Sequence, residues 1–366
     1  MVRVIPWYEE HHRDFPFRSD PAPYHVWLSE IMLQQTRMET VIPYYERFLN
    51  EVPDVMSLAL LPEDRLLKLW EGLGYYSRAR NLKKAAVIIA EEYGGEIPSS
   101  FEALKTLPGI GSYTAAAIAS IAFHEAVPVV DGNVLRVWAR FTGSYDDVLS
   151  DDTKKRVFTE LTALLKKKKP DPALFNQGLM ELGETLCLPK KAPGCESCPL
   201  SSDCRARLLD LTETLPVRNV KTAKKTVEKT VLILKKDGKT AVVKREERDV
   251  LKGMYGFYDT EGKLSREEVK ACVEDLGFTV NALKILPQKK HVFTHRIWEM
   301  SAWIIEVSDK GNVDRDQTIG NGKAVGSEKP DVSIARPALI FVSPSELKTV
   351  YALPSAFRKW YDEVFE

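Results

Sequence analysis

The stretch Leu107-Pro-Gly-Ile-Gly-Ser-Tyr-Thr-Ala-Ala-Ala-Ile118, running on to Val129-Val-Asp-Gly-Asn-Val134, leaves the chain little local freedom. Gly109 and Gly111 can take backbone angles that residues with side chains avoid. Thr114 to Ala122 is a good helix former, interrupted only by mild β-branching. A glycine turn feeding a helix start leaves several N–H groups pointing outward, an arrangement that suits a phosphate. Asp131 stands before Gly132, where its carboxylate could face a cleft.

Around this stretch the pattern is helical for some 200 residues. Tyr24 to Leu49 reads as helix, with Trp27, Ile31, Val41 and Tyr45 among its apolar positions. Glu30 sits between Leu28 and Ile31, Met32 and Leu33. Partial burial there would raise its pKa and favour the protonated acid, although the pattern equally admits a helix-surface glutamate. Leu61 to Trp70 and Asn81 to Tyr93 are further helices. Between them Gly72-Leu-Gly-Tyr-Tyr-Ser-Arg-Ala-Arg80 interleaves aromatic and basic residues, as a nucleic-acid backbone or a solvated connection would allow. Val134–Phe141, Asp152–Leu165 and Phe175–Thr185 complete the helical set, and Lys166–Lys169 reads as a solvated helix end. No strand pattern precedes about residue 226, so the first domain is expected to be all-α.

Cys187, Cys195, Cys198 and Cys204 fall within eighteen residues, with a Cys-x-x-Cys core. A metal site or cluster is favoured over disulfides, and both zinc and [4Fe–4S] accept four thiolates. The fifth, Cys272, reads as a buried small hydrophobe. Residues 215–227 lack an apolar period and read as a linker. Beyond them Thr230–Val243 is a hairpin on Asp237-Gly238, and Ser265-Arg-Glu-Glu268 opens a helix to about Leu276. Strands are expected near Ala282–Leu286, His291–Phe293 and Ile297–Val307, an exposed loop over Ser308–Ser333, and helix over most of Ser345–Phe365. This second domain is α+β.

Charge narrows the partners. The whole chain is neutral, and residues 1–216 hold 25 Lys and Arg against 30 Asp and Glu, so any DNA contact rests on local patches and oriented amides. No run of about 18 apolar residues is present, so no membrane span is expected. Met1 to Glu10 lacks the apolar core of a signal peptide, and a cytoplasmic location is expected.

Taken together, Leu107-Pro-Gly-Ile-Gly111 and Val130-Asp-Gly-Asn-Val134 resemble the helix-hairpin-helix motif and catalytic aspartate of the endonuclease III-like DNA glycosylases. The four cysteines resemble that superfamily's [4Fe–4S] loop, with a first gap of seven residues instead of six. Ser29-Glu-Ile-Met-Leu-Gln-Gln-Thr36 and Gly72-Leu-Gly-Tyr-Tyr-Ser-Arg78 resemble its adenine-glycosylase branch, the MutY family. That family carries a C-terminal domain similar to the MutT (Nudix) hydrolases. The resemblance covers nearly the whole chain. It implies a helix-hairpin-helix glycosylase domain over 1–214, with a six-helix barrel at about 25–131 and a cluster part of 1–24 plus 132–208. A linker over 215–227 and a Nudix-like domain over 228–366 would follow.

The resemblance also implies the chemistry. Bifunctional members place a Lys nucleophile two residues after the second hairpin glycine. Here that residue is Tyr113, and a phenol cannot form an imine with a sugar aldehyde, so a monofunctional glycosylase is expected. Glu30 would protonate departing adenine, and Asp131, held charged by neighbouring amides, would stabilise the sugar cation. Tyr113 and Asn133 would position Asp131. Gln35 and Tyr75 would enter the gap in the stack, and Arg13 and Gln177 would line the adenine pocket. Gly109 and Gly111 would meet a phosphate, while Phe293, Thr294 and His295 would sense an opposing 8-oxoguanine. Cys187, Cys195, Cys198 and Cys204 would hold a [4Fe–4S] cluster. The substrate would be double-stranded DNA with adenine opposite 8-oxoguanine or G. The enzyme would be bacterial, monomeric and cytoplasmic, joining the nucleoid when it acts. A thymine–guanine mismatch glycosylase is the alternative. Arg266–Asp275 departs from the glutamate-rich Nudix helix, so no nucleotide hydrolysis is expected there.

Overall fold

A computed structural model describes residues 1–189, 192–219, 224–245, 251–293, 295–310 and 337–365. The chain divides into two compact units, Met1–Thr222 and Ala223–Glu366.

The first unit is helical: α1 (Val4–His11), α2 (Pro16–Ser19), α3 (Pro23–Leu33), α4 (Met38–Glu51), α5 (Val55–Leu60), α6 (Glu63–Leu69), α7 (Ser77–Glu92), α8 (Phe101–Leu104), α9 (Ser112–Phe123), α10 (Gly132–Thr142), α11 (Asp151–Lys168), α12 (Pro172–Thr185) and α13 (Arg205–Leu208). Helix α3 is buried on nearly every face from Tyr24 to Met32, which marks a core helix. Its neighbour α9 is buried from Thr114 to Ser120, and four alanines there let the two backbones lie close. The continuous helix expected from Tyr24 to Leu49 is broken at Gln34–Arg37. Gln35 adopts a left-handed backbone with φ 58°, which ends α3 and restarts the chain as α4.

Helix α12 is seated by its glycines. A Cβ on Gly178 would lie 3.2 Å from Val4 and Tyr8 of α1, and one on Gly183 would lie 2.6 Å from the Asn133 Cβ of α10. Val4, Val134, Trp138, Val157, Leu161, Phe175 and Leu179 fill the core among these helices.

The second unit is a mixed sheet. Its elements are β1 (Lys225–Lys236), β2 (Lys239–Lys244), β3 (Tyr255–Gly256), β4 (Tyr258–Glu261), α14 (Arg266–Asp275), β5 (Phe278–Val292), β6 (Arg296–Asp309), β7 (Leu339–Val342), α15 (Pro344–Thr349), α16 (Ser355–Arg358) and α17 (Tyr361–Phe365). The sheet order is β3-β2-β1-β6-β5, with β4 on β1 and β7 on β2. Strands β1 and β6 run parallel, with Lys225 opposite Arg296 through Lys235 opposite Glu306. Asp237 (φ 50°) and Gly238 (φ 72°) make the expected hairpin turn. Val269 and Val273 of α14, which opens on a Ser265–Glu268 capping box, pack on Leu232, Leu234 and Ile305.

Two strand expectations change. Ala282–Leu286 and His291–Val292 belong to one strand, β5, carried past Pro287 by a register shift between Leu286 and Lys289, and Phe293 lies in the turn that follows. An edge strand tolerates such a proline. Ser308 and Asp309 end β6 instead of opening a loop, and residues 311–336 lie outside the described residues. Cys272 is only half-buried and hydrogen-bonds Tyr258. No helix among the described residues is long and apolar enough to cross a membrane.

Candidate active site

In the first unit, α3, α9, α10 and α12 surround a cavity of 1260 Å³. Arg13, Glu30, Gln35, Gly111, Tyr113, Asp131, Asn133 and Gln177 line it, whereas Tyr75 and Gly109 do not.

Glu30 stands on α3 beside Leu28, Ile31 and Met32, each at most 2% exposed, and is itself 8% exposed. Its Oε2 has no hydrogen-bond partner among the described residues. Burial pushes its pKa up to about 7; a hydrogen bond from Tyr113 opposes the rise, and the nearby Asp131 adds to it. Of the two readings left open by the sequence, the buried acid is the one observed.

Asp131 caps α10. Its Oδ1 accepts from the Val134 amide at 2.7 Å and its Oδ2 from Asn133 Nδ2 at 2.9 Å. Those donors favour the charged form, as the sequence suggests, yet burial outweighs them and the carboxyl titrates above its usual range. The Tyr113 hydroxyl bonds Glu30 and reaches Met180 Sδ at 3.6 Å, with the Asp131 carboxyl near enough to act on it electrostatically; of the expected pair, Asn133 is the one that hydrogen-bonds Asp131.

Around the rim, Arg13 is tied down. Its Nε donates to Glu181 Oε1 at 2.6 Å, and its Nη2 to Glu181 Oε2 at 3.1 Å and Glu184 Oε2 at 2.8 Å. Arg18 joins Glu181 Oε2 at 2.7 Å. The Glu181 side chain is fully buried, and although burial pushes its pKa up, the two guanidiniums hold it below the usual value. Arg13 therefore lines the cavity as half of an ion cluster. Gln177 accepts from Tyr8 Oη at 3.1 Å. Arg136 Nη2 donates to Asn133 Oδ1 at 2.9 Å, and its Nε to the Cys187 carbonyl at 2.7 Å.

Sequence reasoning missed Arg18, Glu181, Glu184 and Arg136. Helical spacing carried the signal: Gln177, Glu181 and Glu184 share one face of α12, and Asn133, Arg136 and Arg140 one face of α10.

In the hairpin, Gly109 (φ 79°) has no room for a Cβ, which would meet Asn81 Cβ at 2.6 Å. Gly111 has φ −84° as the N-cap of α9 with open space around it, so of the two glycines only Gly109 needs its conformational freedom.

All four cysteines, Cys187, Cys195, Cys198 and Cys204, are outside any disulfide and line a second, 30 Å³ cavity beside Arg140. Arg140 Nη1 donates to Cys187 Sγ at 3.3 Å. Among the described residues no three His, Cys, Asp or Glu stand close enough to share a single metal ion. In the second unit, Phe293 and His295 lie in the turn between β5 and β6. The Phe293 ring meets Trp298 at 4.8 Å and His291 at 4.5 Å, and His295 is exposed. Thr294 lies outside the described residues.

Residues 28–167 match the HhH-GPD superfamily of base excision DNA repair proteins, and residues 229–363 match the NUDIX domain. The structure is similar to that of a thermostable thymine-DNA glycosylase, with a TM-score of 0.50 and 28% identity over 57% of this chain and 94% of that one. Fold and family models thus define a DNA glycosylase of the helix-hairpin-helix class followed by a Nudix-like unit. Over 310 residues the chain is 33% identical to the adenine DNA glycosylase of Buchnera aphidicola, covering 83% of this chain and 85% of that protein. It is 43% identical over 213 residues to the human adenine DNA glycosylase, covering 56% of this chain and 38% of the human one. The chain belongs to the adenine DNA glycosylase family.

Proposed function

We propose that this enzyme hydrolyses the N-glycosidic bond of adenine mispaired with 8-oxoguanine or G in double-stranded DNA, leaving an abasic site unnicked. The observation that carries the chemistry is the pair of unequal carboxyls on one cavity. Asp131 accepts hydrogen bonds at both oxygens, whereas Glu30 accepts from Tyr113 while its Oε2 has no partner among the described residues, so the first negative charge settles on Asp131 and the proton stays on Glu30. Glu30 gives that proton to the departing adenine, at N7, as the bond from the sugar C1′ breaks. Asp131 stabilises the oxocarbenium ion, as the paired carboxyls of sugar hydrolases do. Water then adds to C1′ and gives its proton to a carboxylate of the site, so that Glu30, deprotonated in the first step, is restored to the acid and the hydrolysis is complete. Tyr113 supplies no amine for an imine, which favours base release without strand cleavage. Flipping adenine out of the stack costs a few kcal/mol, and Gln35 and Tyr75 would offset it by filling the gap. Gly109 and Gly111 would hold a phosphate, and Arg13 and Gln177 the adenine.

The opposite base would be read by Phe293, Thr294 and His295. Support comes from the exposed His295 on a hairpin turn, and from a whole second unit that the thymine-DNA glycosylase match leaves uncovered. We infer a monomer acting on chromosomal DNA. The reading is tested by single-turnover release from duplexes with A opposite 8-oxoguanine, A opposite G, A opposite C and T opposite G. Adenine should leave fastest opposite 8-oxoguanine; release of thymine without adenine would establish the mismatch alternative.

Cys187, Cys195, Cys198 and Cys204 would hold a [4Fe–4S] cluster. All four thiols line one cavity, and four cysteine sulfurs are the donor set of such a cluster as they are of zinc; the resemblance of the Cys187–Cys204 loop to the superfamily's cluster loop favours the cluster. The cluster would staple the Cys187–Cys204 segment to α10 and takes no part in bond cleavage. Purified protein should be brown and contain four irons and four sulfides per chain, and Cys198→Ser should lose both metal and colour. Colourless protein with one zinc would reject the assignment.

A further inference from the structure

Outside the cavity, Arg78 at the start of α7 is buried and bridges two distant segments. Its Nη1 donates to the carbonyls of Ile31 at 2.8 Å, Met32 at 2.7 Å and Gln34 at 2.6 Å. Its Nη2 donates to the carbonyls of Leu73 at 3.3 Å and Gly74 at 3.2 Å, and to Thr36 Oγ1 at 3.3 Å. The guanidinium lies 5.5 Å from the ring centres of both Trp70 and Tyr75. Although burial lowers its pKa to about 10, it remains a cation at neutral pH, matched to the negative carbonyl end of α3.

Each bridged segment carries a non-glycine residue in the left-handed region, Gln35 with φ 58° and Tyr75 with φ 49°. Both side chains are exposed. Such backbone persists only where its surroundings over-determine it, and it clusters at functional positions. Here both surroundings share one guanidinium. The outer ends are tied as well: Trp70 Nε1 donates to the Gly74 carbonyl at 3.2 Å, and Gln34 Nε2 to Thr114 Oγ1 at 3.2 Å.

We propose that Arg78 is a positioning residue that fixes Gln35 and Tyr75 at one spacing, so that they enter the duplex together as a rigid two-pronged wedge. The proposal rests on the reading of those two residues as stack-openers. Gln35 lines the edge of the cavity and Tyr75 lies outside it, and neither is assigned a part in bond cleavage, so Arg78 acts on the extrusion of the adenine.

Arg78→Lys keeps the charge but loses the planar fork that reaches both segments at once. It is tested in the full chain by single-turnover release from two substrates: a paired A–8-oxoguanine duplex, and a duplex whose target adenine is already unstacked in a bulge. A wedge misplaced by about 1 Å should slow the paired substrate about 10²-fold. The bulged substrate should slow by no more than about threefold, with an unchanged pH profile. Thr36→Val, which removes one acceptor on the α3 side only, should give a smaller loss of the same selectivity, and it serves if the lysine variant folds poorly. Equal loss on both substrates, or no loss on either, overturns the proposal. The combined Gln35→Ala, Tyr75→Ala variant separates the two layers. If it slows the paired duplex while Arg78→Lys and Thr36→Val do not, the positioning role alone fails; if it has no effect, the wedge reading fails and the proposal with it.

Discussion

Replacing Glu30 by Gln slows adenine release by about 10²–10⁴-fold while leaving duplex binding close to that of the parent. The amide fills the same volume beside Leu28, Ile31 and Met32 but has no acidic proton to give. Single-turnover release and a filter-binding or anisotropy titration measure the two halves separately. The pH dependence follows from the same residue. Burial holds the Glu30 pKa up to about 7, so the competent, protonated form dominates below that pH and is lost above it. Release by the parent should fall as pH rises through about 7, and the small residual rate of Glu30→Gln should lack that limb. Stability gives an independent reading. A carboxyl whose folded pKa is raised destabilises the fold as pH climbs from its usual 4.5 towards 7, because the folded state retains the proton that the unfolded state releases. The parent should therefore lose up to roughly 3 kcal/mol over that window relative to Glu30→Gln. A variant with near-parental release would remove Glu30 from the reaction.

Asp131→Asn is expected to cost about 10²–10³-fold in release, the scale of losing one preorganised electrostatic stabiliser. Asparagine is as good an N-cap as aspartate, so the Val134 amide keeps its partner and α10 its start. What disappears is the charge facing the sugar. A second effect identifies the mechanism. Asp131 raises the Glu30 pKa, so removing its charge should move the alkaline limb of the residual activity to lower pH. Unaltered release, or a limb that stays in place, would deny Asp131 its role.

The elements that declared themselves in the sequence did so through local chemistry. The Asp237-Gly238 turn, the alanine-rich α9, the Ser265 cap and Asp131 ahead of Gly132 all depend on neighbours within a few residues. Glu30 was legible as a carboxyl among apolar positions, and the structure supplies the burial that the pattern left open. The rest depends on distant partners. The parallel pairing of β1 with β6 joins residues some seventy positions apart and leaves no local trace. The break at Gln34–Arg37 was hidden because the guanidinium bonded to its carbonyls, that of Arg78, lies more than forty residues downstream. The Arg13–Glu181–Arg18 cluster likewise spans the unit. Tyr113 was named from the sequence, but its hydrogen bond to Glu30 could be assigned only once α3 and α9 were seen side by side.

Gly183 has a consequence beyond packing. Because α12 lies so close to α10 that a single methyl group there would strike Asn133, this one position works as a calliper for the pocket. Gln177 and Glu184 ride on the same helix, while Asp131 and Asn133 sit at the foot of the other. Prising the helices apart by even a few tenths of an ångström would change how deep an everted base can seat before its sugar meets the carboxylate. On the function proposed above, the depth of the pocket is thus dimensioned by an atom the chain omits.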